Sequence, residues 1–211
     1  MIVRIPERAE PHPTEARILD AALGLFGELG YHGTSVPKIA RAAGYATGAL
    51  YRHFPSKEAL ANAVYRRAKG RLMRALFVGL LDELPDALSS PPREVFRRLW
   101  HRLARFAREH PEDFAFLELH HHAPYLDAES QALERDSLAP FRAYLGTDVA
   151  RRALRPMPPE AIVALTWGAF SGLFRAVRLG HLAWDDALLA QAEEAAWDAV
   201  RRPHPTPGEM P

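Results

Sequence analysis

The 211-residue chain has no cysteine. Disulfides, thiolate metal sites and cysteine nucleophiles are therefore excluded. No apolar run approaches the ~18 residues of a membrane span, so no transmembrane helix is expected. Three prolines and charges of both signs fill residues 1–13. That stretch lacks the apolar core of a secretory signal, and a cytoplasmic protein is expected. A Gly-rich phosphate loop, an HExxH pair and a GxSxG turn are all missing, which argues against the commonest nucleotide, zinc-protease and serine-hydrolase chemistries. Lysine is scarce, 3 residues against 24 arginines, and is read as compositional background. One scarcity is local. Between Glu28 and Glu58 there is no acid, while Lys38, Arg41, Arg52 and Lys57 supply four cations.

What is present is ordinary for a globular protein: 48% hydrophobic and 25% charged residues. The net charge of +1 hides a split. Residues 1–80 hold 12 basic and 6 acidic residues, a net +6, and residues 81–211 hold 15 and 20, a net −5. All four tryptophans lie in the second part. A small basic module joined to a larger apolar one is expected. A basic face suits a polyanion, although a solvated face with no partner has the same charge pattern.

Apolar residues recur at helical spacing throughout, so the fold class is all-α, with about nine helices and no strand. The first helix runs from a Thr14 cap through Ile18, Ala22, Leu25, Phe26 and Leu29 to a stop at Gly30. Ser35 can cap a short second helix that has Pro37 in its first turn and ends at Gly44, and a third spans about 47–53. Ser56 caps a long helix reaching about Leu81. Further helices are expected from Val95 to about His110, over 111–122, over 127–145 with a kink at Pro140, from Ile162 to Gly180, and from an Asp185 cap to Val200. The domains read as a disordered tail over 1–12, a helix-turn-helix module over 13–55, a larger helical domain over 56–202 and a disordered Pro-rich tail over 203–211.

Two short helices joined by a tight glycine turn match a helix-turn-helix, in which the second helix enters the major groove. Its N-terminus favours phosphate. Thr47, Gly48 and Ala49 are small enough to let the backbone approach base edges. Tyr51, His53 and Lys57 offer donors to phosphates, and Lys38 and Arg52 add charge. Leu50 and Phe54 are read as core, and Arg41 as a solvated cation.

The stretches Gly33-Thr34-Ser35-Val36-Pro37-Lys38-Ile39-Ala40, Ala43-Gly44 and Gly48-Ala49-Leu50-Tyr51-Arg52-His53-Phe54-Pro55-Ser56-Lys57-Glu58-Ala59-Leu60 resemble the DNA-binding domain of tetracycline-repressor-type (TetR family) regulators. The match covers about residues 14–65. The resemblance implies phosphate contacts at Ser35, Tyr51, His53 and Lys57, and base-edge positions at Thr47, Gly48 and Ala49. Two departures stand out. Many members have arginine where Pro37 stands and a serine cap where Ala46 stands.

The resemblance also implies that the larger domain dimerises and holds a small effector. Gly168, Ala169, Ser171 and Gly172 beside Phe174, with Leu188, Leu189, Ala192 and Ala196, can form a four-helix seam across a two-fold axis. An intramolecular core has the same composition. Trp100, Leu103, Phe106, Phe114, Leu117, His121, Tyr125, Phe141, Tyr144, Trp167 and Phe170 are candidate effector contacts for a hydrophobic or aromatic ligand, and plain core is the alternative. His120, His121 and His122 point ~100° apart on a helix and cannot converge on one ion. No metal or cofactor is expected. The expected function is a ligand-responsive, homodimeric repressor on a palindromic operator. An activator or constitutive DNA binder of the same fold is the alternative, and a metal-dependent enzyme using the His120–His122 region is a remoter one.

Overall fold

Helix follows helix along the chain in the computed structural model, which describes residues 12–80, 90–119 and 125–203. Among the described residues there are eleven helices and a single antiparallel bridge, Leu154 to Arg201. They fall into two compact units. One comprises the described residues of Met1–Ala75 and Phe106–Ser137; the other comprises those of Leu76–Arg105 and Leu138–Pro211. The two sequence-based tails lie outside the described residues except for His12 and Pro203.

The first unit opens with α1 (Pro13–Gly33). Its cap is His12, whose Nδ1 accepts from the Thr14 N–H at 3.4 Å, so the helix starts ahead of the expected Thr14 cap with Pro13 in its first turn. Gly30 leaves helical geometry at φ 71°, and one further turn follows it instead of a loop. At the kink the buried Thr34 hydroxyl shares its one proton between two carbonyls, Leu25 at 3.0 Å and Gly30 at 2.8 Å. α2 (Val36–Ala43) ends at Gly44, whose φ of 79° suits glycine alone. The N–H of Gly44 reaches the Arg41 carbonyl at 3.1 Å and that of Tyr45 reaches Ala40 at 2.9 Å. This double closure is a Schellman turn.

α3 (Thr47–His53) starts at Ala46 with no side-chain cap. α4 (Lys57–Phe77) starts where Ser56 Oγ accepts from the Ala59 N–H at 3.1 Å. It ends four residues before the expected Leu81, and Gly79 follows at φ 80°. α6 (Pro111–Leu119) and α7 (Ala128–Ser137) complete this unit. Its core joins Ile18, Phe26, Ile39, Leu50, Leu60 and Val64 to Phe116 of α6. Phe116 stacks on Phe26 at 6.1 Å.

The second unit takes most of α5 (Pro92–Glu109), then α8 (Ala139–Leu145), α9 (Asp148–Ala153), α10 (Pro159–Arg178) and α11 (Asp186–Val200). The single expected helix over 127–145 is thus two. The break falls at Leu138, and Pro140 sits in the first turn of α8, where its missing N–H costs nothing. α9 was not foreseen; its Thr147 cap accepts from the Ala150 N–H at 3.2 Å. Asp185 caps α11 by accepting from the Leu188 N–H at 2.7 Å. Arg93 of α5 and Glu193 of α11 form an ion pair, with Nη2 to Oε2 at 2.9 Å. Glu193 is 5% exposed, so the pair is the means by which that carboxylate is buried.

Candidate nucleic-acid interface

Fully buried apolar side chains hold α2 and α3 in place. Ile39 and Leu50 are 0% exposed, and Phe54 is buried beside them. With these three turned inward, the other side of α3 must face solvent. Gly48, Tyr51, Arg52 and His53 are exposed there, while Thr47 and Ala49 are half-buried. Ser35 and Lys38 are exposed at the start of α2, as is Pro37. The expected nucleic-acid residues therefore lie on α2, on α3 and at the start of α4. Ser35 occupies the cap position of α2 without a side-chain capping bond. Its hydroxyl is not committed to the helix.

Lys57 is half-buried, and its Nζ lies 4.2 Å from the centroid of the Tyr31 ring. The Tyr31 hydroxyl donates to Glu58 Oε1 at 2.8 Å. Burial first, and then this bond, pushes the Tyr31 phenol up to about 12. The backbone N–H of Glu58 itself, followed by the Tyr31 and Ser56 hydroxyls, holds the Glu58 carboxyl below its usual value. The acid that ends the acid-free stretch is thus bound to its own neighbours.

α4 is joined to the rest of its unit by polar contacts that sequence reading missed. Buried Asn62 donates from Nδ2 to the carbonyls of Glu58 at 2.9 Å and Tyr125 at 2.8 Å, and its Oδ1 accepts from the Asp127 N–H at 2.9 Å. Arg66 meets Asp127 at 2.9 Å, Arg67 meets Asp20 at 2.6 Å, Lys69 meets Glu134 at 2.6 Å and Arg71 meets buried Asp113 at 3.1 Å. Tyr65 donates to Glu134. The only sequence signal for these was a polar residue on the face of a helix otherwise read as apolar.

The candidate effector residues divide between the units. Phe106 and Phe114 are buried in the first, where Leu117 and Tyr125 pack against its core. Trp100, Leu103, Phe141, Tyr144, Trp167 and Phe170 belong to the second. There the edge of Trp100 meets Phe170 at 5.2 Å, and Trp184 meets Phe170 at 6.0 Å and Phe174 at 6.1 Å. The indole N–H groups of Trp100 and Trp184 are buried with no hydrogen-bond partner. Trp184 was not among the sequence candidates. Phe141 packs edge-on against Phe77 at 5.1 Å, and the Tyr144 hydroxyl donates to the Ser90 carbonyl at 3.3 Å. His121, with the rest of His120–His122, lies outside the described residues. Among the described residues no group of three or more His, Asp or Glu could hold a metal ion.

Of the candidate seam, Gly168, Ala169 and Gly172 are exposed on α10, and Leu165 beside them is 46% exposed. Ser171, Leu188 and Ala192 are half-buried, while Phe174, Leu189 and Ala196 are buried within the unit. α10 is also the one described helix whose length and mean hydropathy of 1.2 would suit a membrane crossing. Its Glu160 pairs with Arg142 at 2.6 Å, and Arg175 and Arg178 close its last turn.

Comparison with known proteins agrees with this architecture. Residues 18–64 match the family of bacterial regulatory proteins of the tetR type, and residues 78–202 match the tetracyclin repressor-like C-terminal domain. The HTH-type transcriptional regulator UidR of Escherichia coli (strain K12) is 34% identical over 94 residues, 42% of this chain and 48% of that protein. The HTH-type transcriptional repressor Rv1474c of Mycobacterium tuberculosis is 32% identical over 111 residues, 51% and 59% of the two. The chain thus spans about half the length of the curated relatives it matches. A TetR family transcription regulator from Marinobacter aquaeolei VT8 superposes with a TM-score of 0.75 at 26% identity, over 89% of this chain and 95% of that one. A TetR family protein from Vibrio parahaemolyticus gives 0.69 at 28%, over 89% and 98%. These relatives are transcription regulators and not enzymes. With a family model covering more than half of its length, the chain belongs to the TetR family of bacterial regulatory proteins.

Proposed function

We propose that this chain is a ligand-responsive transcriptional repressor that binds palindromic duplex DNA as a homodimer in the cytoplasm. The observation that carries the reading is the exposed, acid-free face of α2 and α3, set on the fully buried Ile39, Leu50 and Phe54. Ser35, Tyr51, His53 and Lys57 would meet phosphates, with charge added by Lys38 and Arg52. Thr47, Gly48 and Ala49 would face base edges. The exposed small residues Gly168, Ala169 and Gly172 beside Leu165 suit a close two-fold packing of α10. A dimer would set two recognition helices ~34 Å apart, one helical turn of DNA. Trp100, Phe170 and Trp184 support an effector site in the second unit. Two unpartnered indole donors amid apolar rings suit an aromatic ligand bearing an acceptor oxygen.

The test is selection of a duplex from a random-sequence library by the purified chain, followed by fluorescence anisotropy across a salt series. Sequence-preferring, salt-sensitive binding by a dimer is the expected result. Failure to enrich any duplex would sink the reading. Deletion of the gene separates repression from activation, because loss of a repressor raises expression of its target.

A further inference from the structure

Lys57 is placed more tightly than a surface phosphate donor requires. Its ammonium lies 4.2 Å from the centroid of the Tyr31 ring. Tyr125 stacks on the same ring at 4.3 Å, with 19° between the planes. Two groups cannot share one ring face at that distance, so Lys57 and Tyr125 occupy opposite faces. The Tyr31 hydroxyl reaches the next residue along, Glu58, at 2.8 Å. Tyr31 therefore grips two consecutive residues in the first turn of α4, one through its ring and one through its hydroxyl. Tyr125 is anchored in turn, because its carbonyl accepts from Asn62 Nδ2 at 2.8 Å. The stack begins and ends on α4.

We propose that Tyr31 and Tyr125 are positioning residues for DNA binding, acting through Lys57. This rests on the reading that the α2–α3 face and the start of α4 bind DNA. A lysine free to explore its rotamers gives up that freedom when it meets a phosphate. A lysine held over an aromatic face has already given it up, and it keeps N–H donors pointing away from the ring. The hydrogen bond to the Glu58 carboxylate enriches the ring that holds the cation. Tyr125 lies outside the helix-turn-helix, in the segment leading into α7. Any change that moves Tyr125 off Tyr31 would therefore loosen a DNA contact without touching α2 or α3.

The test uses Lys57→Ala, Tyr31→Leu, Tyr125→Leu, the double variant of Tyr31→Leu with Lys57→Ala, and Tyr31→Phe. Each is titrated by anisotropy, across a salt series, against the duplex that the wild-type chain enriches from a random-sequence library. Lys57→Ala should lower the slope of log affinity against log salt by about 1 per chain, the signature of one lost phosphate contact. Tyr31→Leu and Tyr125→Leu should each weaken binding by roughly 3- to 10-fold at a nearly unchanged slope, because the lysine still meets its phosphate but gives up its rotamers to do so. The double variant should bind no worse than Lys57→Ala alone. Tyr31→Phe keeps the ring and should recover most of what Tyr31→Leu loses.

Circular dichroism melts check folding. If Tyr31→Leu does not fold, Tyr125→Leu carries the test, because it leaves Tyr31 in place. Additive losses in the double variant, or wild-type affinity in both Tyr31→Leu and Tyr125→Leu, overturn the proposal. Wild-type binding with an unaffected Lys57→Ala slope overturns this inference alone. A wild-type chain that enriches no duplex overturns the DNA-binding reading as well.

Discussion

Replacing Asn62 should reveal how the segment around Tyr125 is held to α4. The side chain is 2% exposed and makes three hydrogen bonds, at 2.8, 2.9 and 2.9 Å. One of them, to the Glu58 carbonyl, adds to an acceptor already placed within the helix. The other two reach the Tyr125 carbonyl and the Asp127 N–H, 63 and 65 residues along the chain. Asn62→Ala would take its hydrogen-bond partner from each of those two backbone groups, at about 1.5 kcal/mol each and about 3 kcal/mol in all. For a chain of this length that lowers Tm by roughly 6–12 °C. Asn62→Asp is the sharper control. It keeps the shape and the acceptor for Asp127, but it replaces the one nitrogen that donates twice with a carboxylate oxygen facing two carbonyls. It should therefore cost at least as much as alanine near neutral pH and recover as the new carboxyl is protonated. Thermal melts at one fixed chain concentration read the shift, and hydrogen exchange at the Asp127 amide reads the local opening. An Asn62→Ala melt within 2 °C of wild type, as against the roughly 6–12 °C expected, would refute the reasoning. So would an Asp127 amide whose protection does not change.

Three further outcomes are expected. Ala46 sits at the α3 cap with φ −68° and ψ 146°, the geometry in which a serine hydroxyl can reach the second or third N–H. Ala46→Ser should stabilise the chain by about 1 kcal/mol, read as a higher Tm. Burial raises the phenols of Tyr31, Tyr65, Tyr125 and Tyr144, that of Tyr31 to about 12 from 10.0. Because the folded pKa lies above the unfolded one, the Tyr31 contribution is fully present below pH 10 and is lost as pH rises toward about 12. Phenolate absorbance should show these four groups ionising above the ordinary range, and ionisation of all of them near pH 10 in folded protein would contradict the structure. Leu165→Glu puts a charge beside Gly168 and Gly172 on the exposed face of α10. Light scattering should then find a monomer, and an unchanged dimer would remove α10 from the subunit interface.

The parts of the site legible in the sequence are those with local causes. Ser56 caps α4 because its hydroxyl needs only an N–H three residues on. Gly44 closes α2 because the left-handed turn tolerates no other residue as easily. Leu50 and Phe54 face inward at helical spacing, which leaves Tyr51 and Arg52 outside. Local causes can also compete. His12 took the cap from Thr14 because either can accept from an early N–H of α1. Gly30 bent the helix without ending it, and the one Thr34 hydroxyl proton bridges the Leu25 and Gly30 carbonyls at the bend.

Amino-acid order alone thus determined that the chain is helical, where most helices begin and end, and that a helix-turn-helix lies in an acid-free stretch. These features depend on dihedral preferences, caps and periodicity, all of which act within a few residues. Only the tertiary structure decided that Phe116 completes the core beneath the first helices, that Asn62 holds a segment 63 residues away, and that Tyr125 backs the ring on which Lys57 rests. No local pattern specifies such pairs. A single buried amide or a single stacked ring leaves no period in the sequence, and its partner is selected by the packing of the whole unit.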